Sequence, residues 1–174
     1  MRNTELTMAE YKLISPAAIH IKGLQPADIR GLHDLLKQEG CIDSENPFSD
    51  REKAIALDGI QDRLAQRNHT NKQASADMLI CVAKNKYILA DAKFRQENVR
   101  NISPSELESK LVCSKSIVES YDYMFANAFY VLFKKRTLKP TQRALLKRKF
   151  SGSPQYRFMN ALQFYELFER QKYR

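Results

Sequence analysis

The chain has 174 residues, 43% of them hydrophobic and 28% charged, and a formal net charge of +9. That is enough length to bury one core, with an ordinary globular balance and no apolar run near the roughly 20 residues that cross a bilayer. The N-terminal stretch MRNTELTMAEYKLISP is polar and has no apolar signal core, so export is not expected and the cytoplasm is the expected compartment.

In chain order, Pro26 predicts a helix to about Gln38, with Ile29, Leu32, Leu35 and Leu36 on one face and Gly40 as its stop. CIDSENPF reads as a loop. Ser49-Asp50-Arg51-Glu52 has the spacing of a capping box and predicts a second helix to about Arg67, carrying Ile55, Leu57, Ile60 and Leu64. Gly59 falls inside it, at a cost of about 1 kcal/mol relative to alanine; close packing on a sheet would explain it. NHTNKQASA is polar and leaves room for at most a short edge strand. Met78–Ala83 and Tyr87–Phe94 are strands around a Lys84-Asn85-Lys86 loop. Ser103-Pro104-Ser105-Glu106 is a second capping box, opening a helix with Leu107, Leu111, Ile117 and Val118. NAFYVLF, residues 127–133, is a third strand. Pro140 opens a short basic helix, TQRALLKRKF. Ser151-Gly152-Ser153-Pro154 then breaks the chain before a last helix with Phe158, Leu162, Tyr165 and Phe168 on one stripe.

This order predicts an α/β fold: a small mixed central sheet flanked by helices, in a single domain. The helix after Ser103 is long enough to cross between the second and third strands, which would make them parallel, with a right-handed connection.

The three cysteines, Cys41, Cys81 and Cys113, have no CxxC spacing, and His20, His33 and His69 complete no zinc pattern. They read as reduced thiols, with Cys81 and Cys113 as small core residues. The five glycines, at 23, 31, 40, 59 and 152, build neither GxGxxG nor GxxxxGK[ST], and there is no GxSxG. Of the 29 basic and 20 acidic residues, twelve and two lie in 134–174, leaving 17 and 18 elsewhere. The whole positive excess therefore sits in the C-terminal quarter. It serves either as a solvated surface or as a polyanion-binding face. For the second role the candidate phosphate-binding residues are Lys134, Lys135, Arg136, Lys139, Arg143, Lys147, Arg148 and Lys149.

The hairpin carries the chemistry. Asp91 and Lys93 share one strand face. A Lys84-Asn85-Lys86 loop sets Asp77 opposite Lys93, with Asp91 diagonal to Asp77 at about 7–8 Å. Two carboxylates and one lysine would then converge at the open end of the hairpin. Hard oxygen donors of this kind suit Mg²⁺ or Mn²⁺, and a lysine beside the ion could orient or deprotonate a water.

Asp77, the apolar hairpin and Asp91-Ala92-Lys93 together resemble the core motif of the PD-(D/E)xK nuclease superfamily, in its DxK form, with Ala76 in place of the nominal proline. The resemblance covers residues 49–134 and implies a restriction-endonuclease-like core with a helix, three strands, a helix and a strand. It implies 1–48 as an N-terminal helical extension and 135–174 as basic C-terminal helices. It also implies Mg²⁺-dependent hydrolysis of nucleic-acid phosphodiesters, DNA ahead of RNA. Asp77, Asp91 and the Ala92 carbonyl would hold the ion, Lys93 would position the water, and Glu52 would be the acid from the helix before the sheet, with Asp58 and Asp62 as rivals. No membrane partner is expected, and a homodimer is admitted. The first core strand is the weak point, because NHTNKQASA is a poor strand sequence. The competing reading is a catalytically inactive nucleic-acid-binding or protein-interaction module on the same fold. In it Asp91 and Lys93 form a local ion pair, Asp77 caps a strand, Glu52 caps a helix and the Phe158 stripe is core.

Overall fold

The computed structural model describes residues 11–170. In chain order the elements are β1 (Ile29–Gly31), α1 (Leu32–Gln38), β2 (Lys53–Ala56), α2 (Asp58–Asn68), β3 (Met78–Val82), β4 (Lys86–Ala92), α3 (Pro104–Ser116), β5 (Met124–Phe133), α4 (Pro140–Lys149), β6 (Tyr156–Asn160) and α5 (Ala161–Glu169). The six strands form one sheet in the order of the chain. β1 to β4 pair antiparallel; β4, β5 and β6 pair parallel. The chain therefore begins as a meander and ends as crossovers, with α3 joining β4 to β5 and α4 joining β5 to β6. The fold is α/β, a mixed sheet flanked by helices.

Side chains alternate across the sheet, and both faces are covered. Leu79, Leu89, Phe129 and Val131 pack with Ile60, Leu107 and Leu146 under α2, α3 and α4. Met78, Ile80, Ile88, Tyr130 and Leu132 pack with Leu32, Leu36, Phe164 and Phe168 under α1 and α5. Two-sided burial is why β3, β4 and β5 read as nearly continuous apolar runs rather than alternating ones. Each such side chain contributes about 1.5–3 kcal/mol.

Several expected elements are corrected. The 26–38 helix is split: Pro26–Asp28 is a 3₁₀ turn, Ile29–Gly31 pairs with β2, and the helix begins only at Leu32. Gly40 does end it, at φ +99°. The Ser49–Glu52 exchange exists, with the Ser49 amide and hydroxyl both donating to Glu52 Oε2 at 2.9 and 2.6 Å. It closes a turn and caps no helix, because Lys53–Ala56 is drawn into the sheet between β1 and β3. A strand, β2, thus lies inside the span read as helix, and 68–76 contains no strand. Gly59 is the second residue of α2, not a mid-helix glycine.

The hairpin loop is Ala83-Lys84-Asn85, one residue earlier than expected, with Lys84 and Asn85 at φ 60° and 52°. Phe158 belongs to β6. α5 starts at Ala161 behind an Asn160–Gln163 capping box and buries Ala161, Phe164 and Phe168, while Leu162 is 49% exposed. Cys113 is half-buried rather than core. The domain boundaries shift accordingly. Residues 1–48 supply β1 and core residues such as Tyr11 and Ile19, and 135–174 supply β6. The sheet therefore extends beyond 49–134 on both sides.

Candidate active site

The site lies at the C-terminal ends of β4 and β5, the end of a parallel sheet where ligands commonly bind. Met78 pairs with Ala90, so the register carried one residue further sets Asp77 directly against Asp91. The earlier loop moves each partner by two residues. That keeps the faces but replaces the expected Asp77–Lys93 pairing with two facing carboxylates. Asp77 Oδ2 accepts a 2.6 Å hydrogen bond from the Ala92 amide, so the Ala92 group turned toward Asp77 is its N–H, not the carbonyl expected to bind metal.

Asp91 is completely buried. Lys110 of α3 donates to its Oδ1 at 2.7 Å. Lys93 Nζ lies 3.1 Å from Oδ2 and 3.0 Å from Glu106 Oε1. Oδ2 nevertheless accepts no hydrogen bond of ordinary geometry. The ammonium compensates its charge but leaves a buried lone pair unused. Ser103 positions this group by accepting from the Glu106 amide at 3.2 Å, which starts α3 with Glu106 and Lys110 one turn apart on the side facing β4. Burial and the facing Asp91 push the Asp77 carboxyl up to about 7, against the hydrogen bond from Ala92 and the charge of Lys110. Burial alone would lower the Lys93 ammonium, but Asp91 and Glu106 together hold it above its ordinary value. Glu106 is lowered by Lys93 against its own partial burial.

Glu39, just after α1, also raises Asp77 and shares with it a cavity of about 470 Å³ that Asp28 and Asp58 line as well. Asp28 is paired with Arg63, and Asp58 and Asp62 both pair with Lys72 at 2.6 and 3.0 Å. Glu39 is therefore the acid that the helix before the core strands brings toward Asp77. Glu52 sits in the turn with Ser49 and is not on a helix. The signal for Glu39 was present in the sequence as the first acid after the 32–38 helix, but it had no meaning until Lys53–Ala56 was known to be a strand.

Among the described residues, no group of three or more His, Cys, Asp or Glu side chains is placed to hold a metal ion by itself. Two facing carboxylates suit Mg²⁺, which binds through one or two carboxylates and keeps several waters, although each Asp91 oxygen already faces an ammonium.

No protein-family model, curated protein or solved structure matches the chain. No helix among the described residues is long and apolar enough to cross a membrane.

The basic segment divides. Arg143 Nε donates to the Leu138 carbonyl at 3.1 Å and Nη2 to Gln163 Oε1 at 3.0 Å, fixing α4 to its surroundings. Lys149 donates to the Arg100 carbonyl and Arg136 pairs with Glu97. The Lys135 amide donates to Glu45, and Lys134 is half-buried at the end of β5. The Lys135 side chain, Lys139, Lys147 and Arg148 are exposed. They, not Arg143, carry the freely presented charge.

Proposed function

We propose that the protein is a divalent-metal-dependent phosphodiesterase acting on nucleic acid, DNA ahead of RNA, of the PD-(D/E)xK type. The observation that carries this reading is Asp77 facing Asp91 across β3 and β4, with the Lys93 ammonium 3.1 Å from Asp91. The order α1, β2, β3, β4, α3, β5 supports it, since it supplies the helix, three strands, helix and strand that the resemblance calls for.

Asp77 and Asp91 would hold Mg²⁺ or Mn²⁺, with Glu39 adding negative charge from the cavity side without ligating the ion. The bound ion would lower the pKa of a water and stabilise charge on the phosphoryl oxygens. Lys93 keeps its proton, because two carboxylates stabilise its cationic form. Its role is therefore to orient the water and offset developing negative charge, not to act as base. In the metal-free protein burial and the facing Asp91 hold Asp77 up at about 7, so the ion would bind better as pH rises and Asp77 loses its proton. Glu106 and Lys110 position Lys93 and Asp91. Lys139, Lys147 and Arg148 would hold the polyanion backbone.

One observation favours the alternative, an inactive binding module: Asp91 already has an ammonium on each side, so its charge is compensated without a metal. Cleavage assays on single- and double-stranded DNA and RNA with Mg²⁺ or Mn²⁺ decide between the two. The phosphodiesterase reading expects cleavage by wild type that Asp91→Ala abolishes. Nucleic-acid binding with neither cleavage nor saturable metal binding selects the inactive module.

A further inference from the structure

The sequence presents α4 as a basic surface helix, yet its cations are not all on the solvent side. Arg143, Leu146, Lys147 and Phe150 form one i, i+3, i+4, i+7 stripe, and all four line a groove of about 400 Å³ between α4, the Ser151–Pro154 loop and β6. The floor is aromatic. Phe158 is half-buried on β6, with Phe150 at 4.9 Å between ring centroids, and Tyr156 lies 5.5 Å from Phe150. Leu146 and Phe150 on the stripe are buried, Arg143 is fixed by its bonds to Leu138 and Gln163, and Lys147 is exposed. A groove whose wall alternates buried hydrocarbon with cations and which a half-buried aromatic ring also lines matches the two halves of a nucleotide: a flat apolar base and an anionic phosphate.

Register ties this groove to the acids. Asp91 pairs with Val131 and Val131 with Phe158. Phe158 therefore lies in the same row of the sheet as Asp91, on the same face and two strands away, roughly 10 Å at the usual strand spacing.

We infer that the groove between α4 and β6 is a subsite for one unpaired nucleotide of a nucleic-acid strand, with the base on Phe158 and the phosphate on Lys147. This rests on the nucleic-acid reading above and makes it more specific, toward single-stranded or frayed substrate.

The test is binding of a labelled single-stranded oligothymidylate and of an abasic oligonucleotide of equal length, followed by fluorescence anisotropy in EDTA. Wild type should prefer the oligothymidylate. Phe158→Leu should weaken its binding by about tenfold, as expected for the loss of one stacked base, and leave the abasic strand unaffected. Phe158→Tyr should retain the preference, and Lys147→Gln should weaken both strands alike. Equal wild-type affinity for the two strands overturns the subsite whether or not the leucine variant folds, and it leaves the phosphodiesterase reading standing. That reading fails separately, if metal-dependent cleavage is absent or survives Asp91→Ala. Binding of neither strand overturns the subsite, while duplex binding, measured in parallel, decides the nucleic-acid reading separately.

Discussion

Asp77 and Asp91 face each other across one hairpin, yet neutralising them should move stability in opposite directions. Asp77 is held at about 7 in the fold against an ordinary value of 3.8. Its folded pKa is raised, so between about pH 4 and 7 the native state binds more protons than the unfolded chain, and stability falls as pH rises through that window. That displacement corresponds to about 4 kcal/mol, expressed in full near pH 8. Asp77→Asn removes the charge and keeps an oxygen to accept from the Ala92 amide. It should stabilise the metal-free protein by about 2–4 kcal/mol at pH 8, or on the order of 5–10 °C in Tm, and by almost nothing at pH 4. Asp91 differs because two ammoniums, on side chains only 14% and 16% exposed, depend on it. Removing one member of a buried ion pair costs about 3–5 kcal/mol. Lys93 retains Glu106 and Asp77 loses a repelling neighbour, so Asp91→Asn should fall at or just below the lower end of that range. Urea unfolding of both variants in EDTA at pH 4 and pH 8 measures all of this. The electrostatic account is refuted if the two substitutions shift stability with the same sign at pH 8, or if the gain from Asp77→Asn is independent of pH.

Lys93→Ala should abolish metal-dependent cleavage while changing nucleic-acid affinity less than twofold, because it is one cation among many in binding but one of three groups at the reacting phosphate; cleavage that survives places the activity elsewhere. Glu39→Gln should weaken Mg²⁺ binding measured by calorimetry, whereas Glu52→Gln should leave it unchanged, and the reverse result would restore Glu52 to the site. Changing Lys139, Lys147 and Arg148 together to Gln should flatten the log–log salt dependence of duplex binding by about two to three units, with little effect on Tm because the charges are exposed. An unchanged slope in a salt titration would mean that these residues are only a solvated surface.

What the sequence determined on its own was set by local rules. Ser103 and Pro140 mark helix starts by capping and by φ restriction, and both helices begin there. The β3, β4 and β5 runs are too apolar to be anything but buried, and the α3 crossover between two of them makes their pairing parallel. Asp91 and Lys93 share a face because strand side chains alternate, whatever the partners are. Tertiary structure decided the rest. Ala54 and Ile55 fit a helix stripe, but the open edge of β3 recruits them as β2, where their amides and carbonyls find partners on both sides. Ile29 likewise joins β2 instead of extending α1, and Phe158 joins β5 instead of opening α5. The loop conformation, with Lys84 and Asn85 both at positive φ, set the register that brings Asp77 against Asp91. No local signal specifies whether Ala83 or Lys84 starts the turn. Glu39 and Lys110 lie 38 residues before and 19 after the acids they approach. Only the packing of α1 and α3 on the sheet brings them there, because charge interactions across such separations, attractive or repulsive, act after the chain has been folded by its apolar faces.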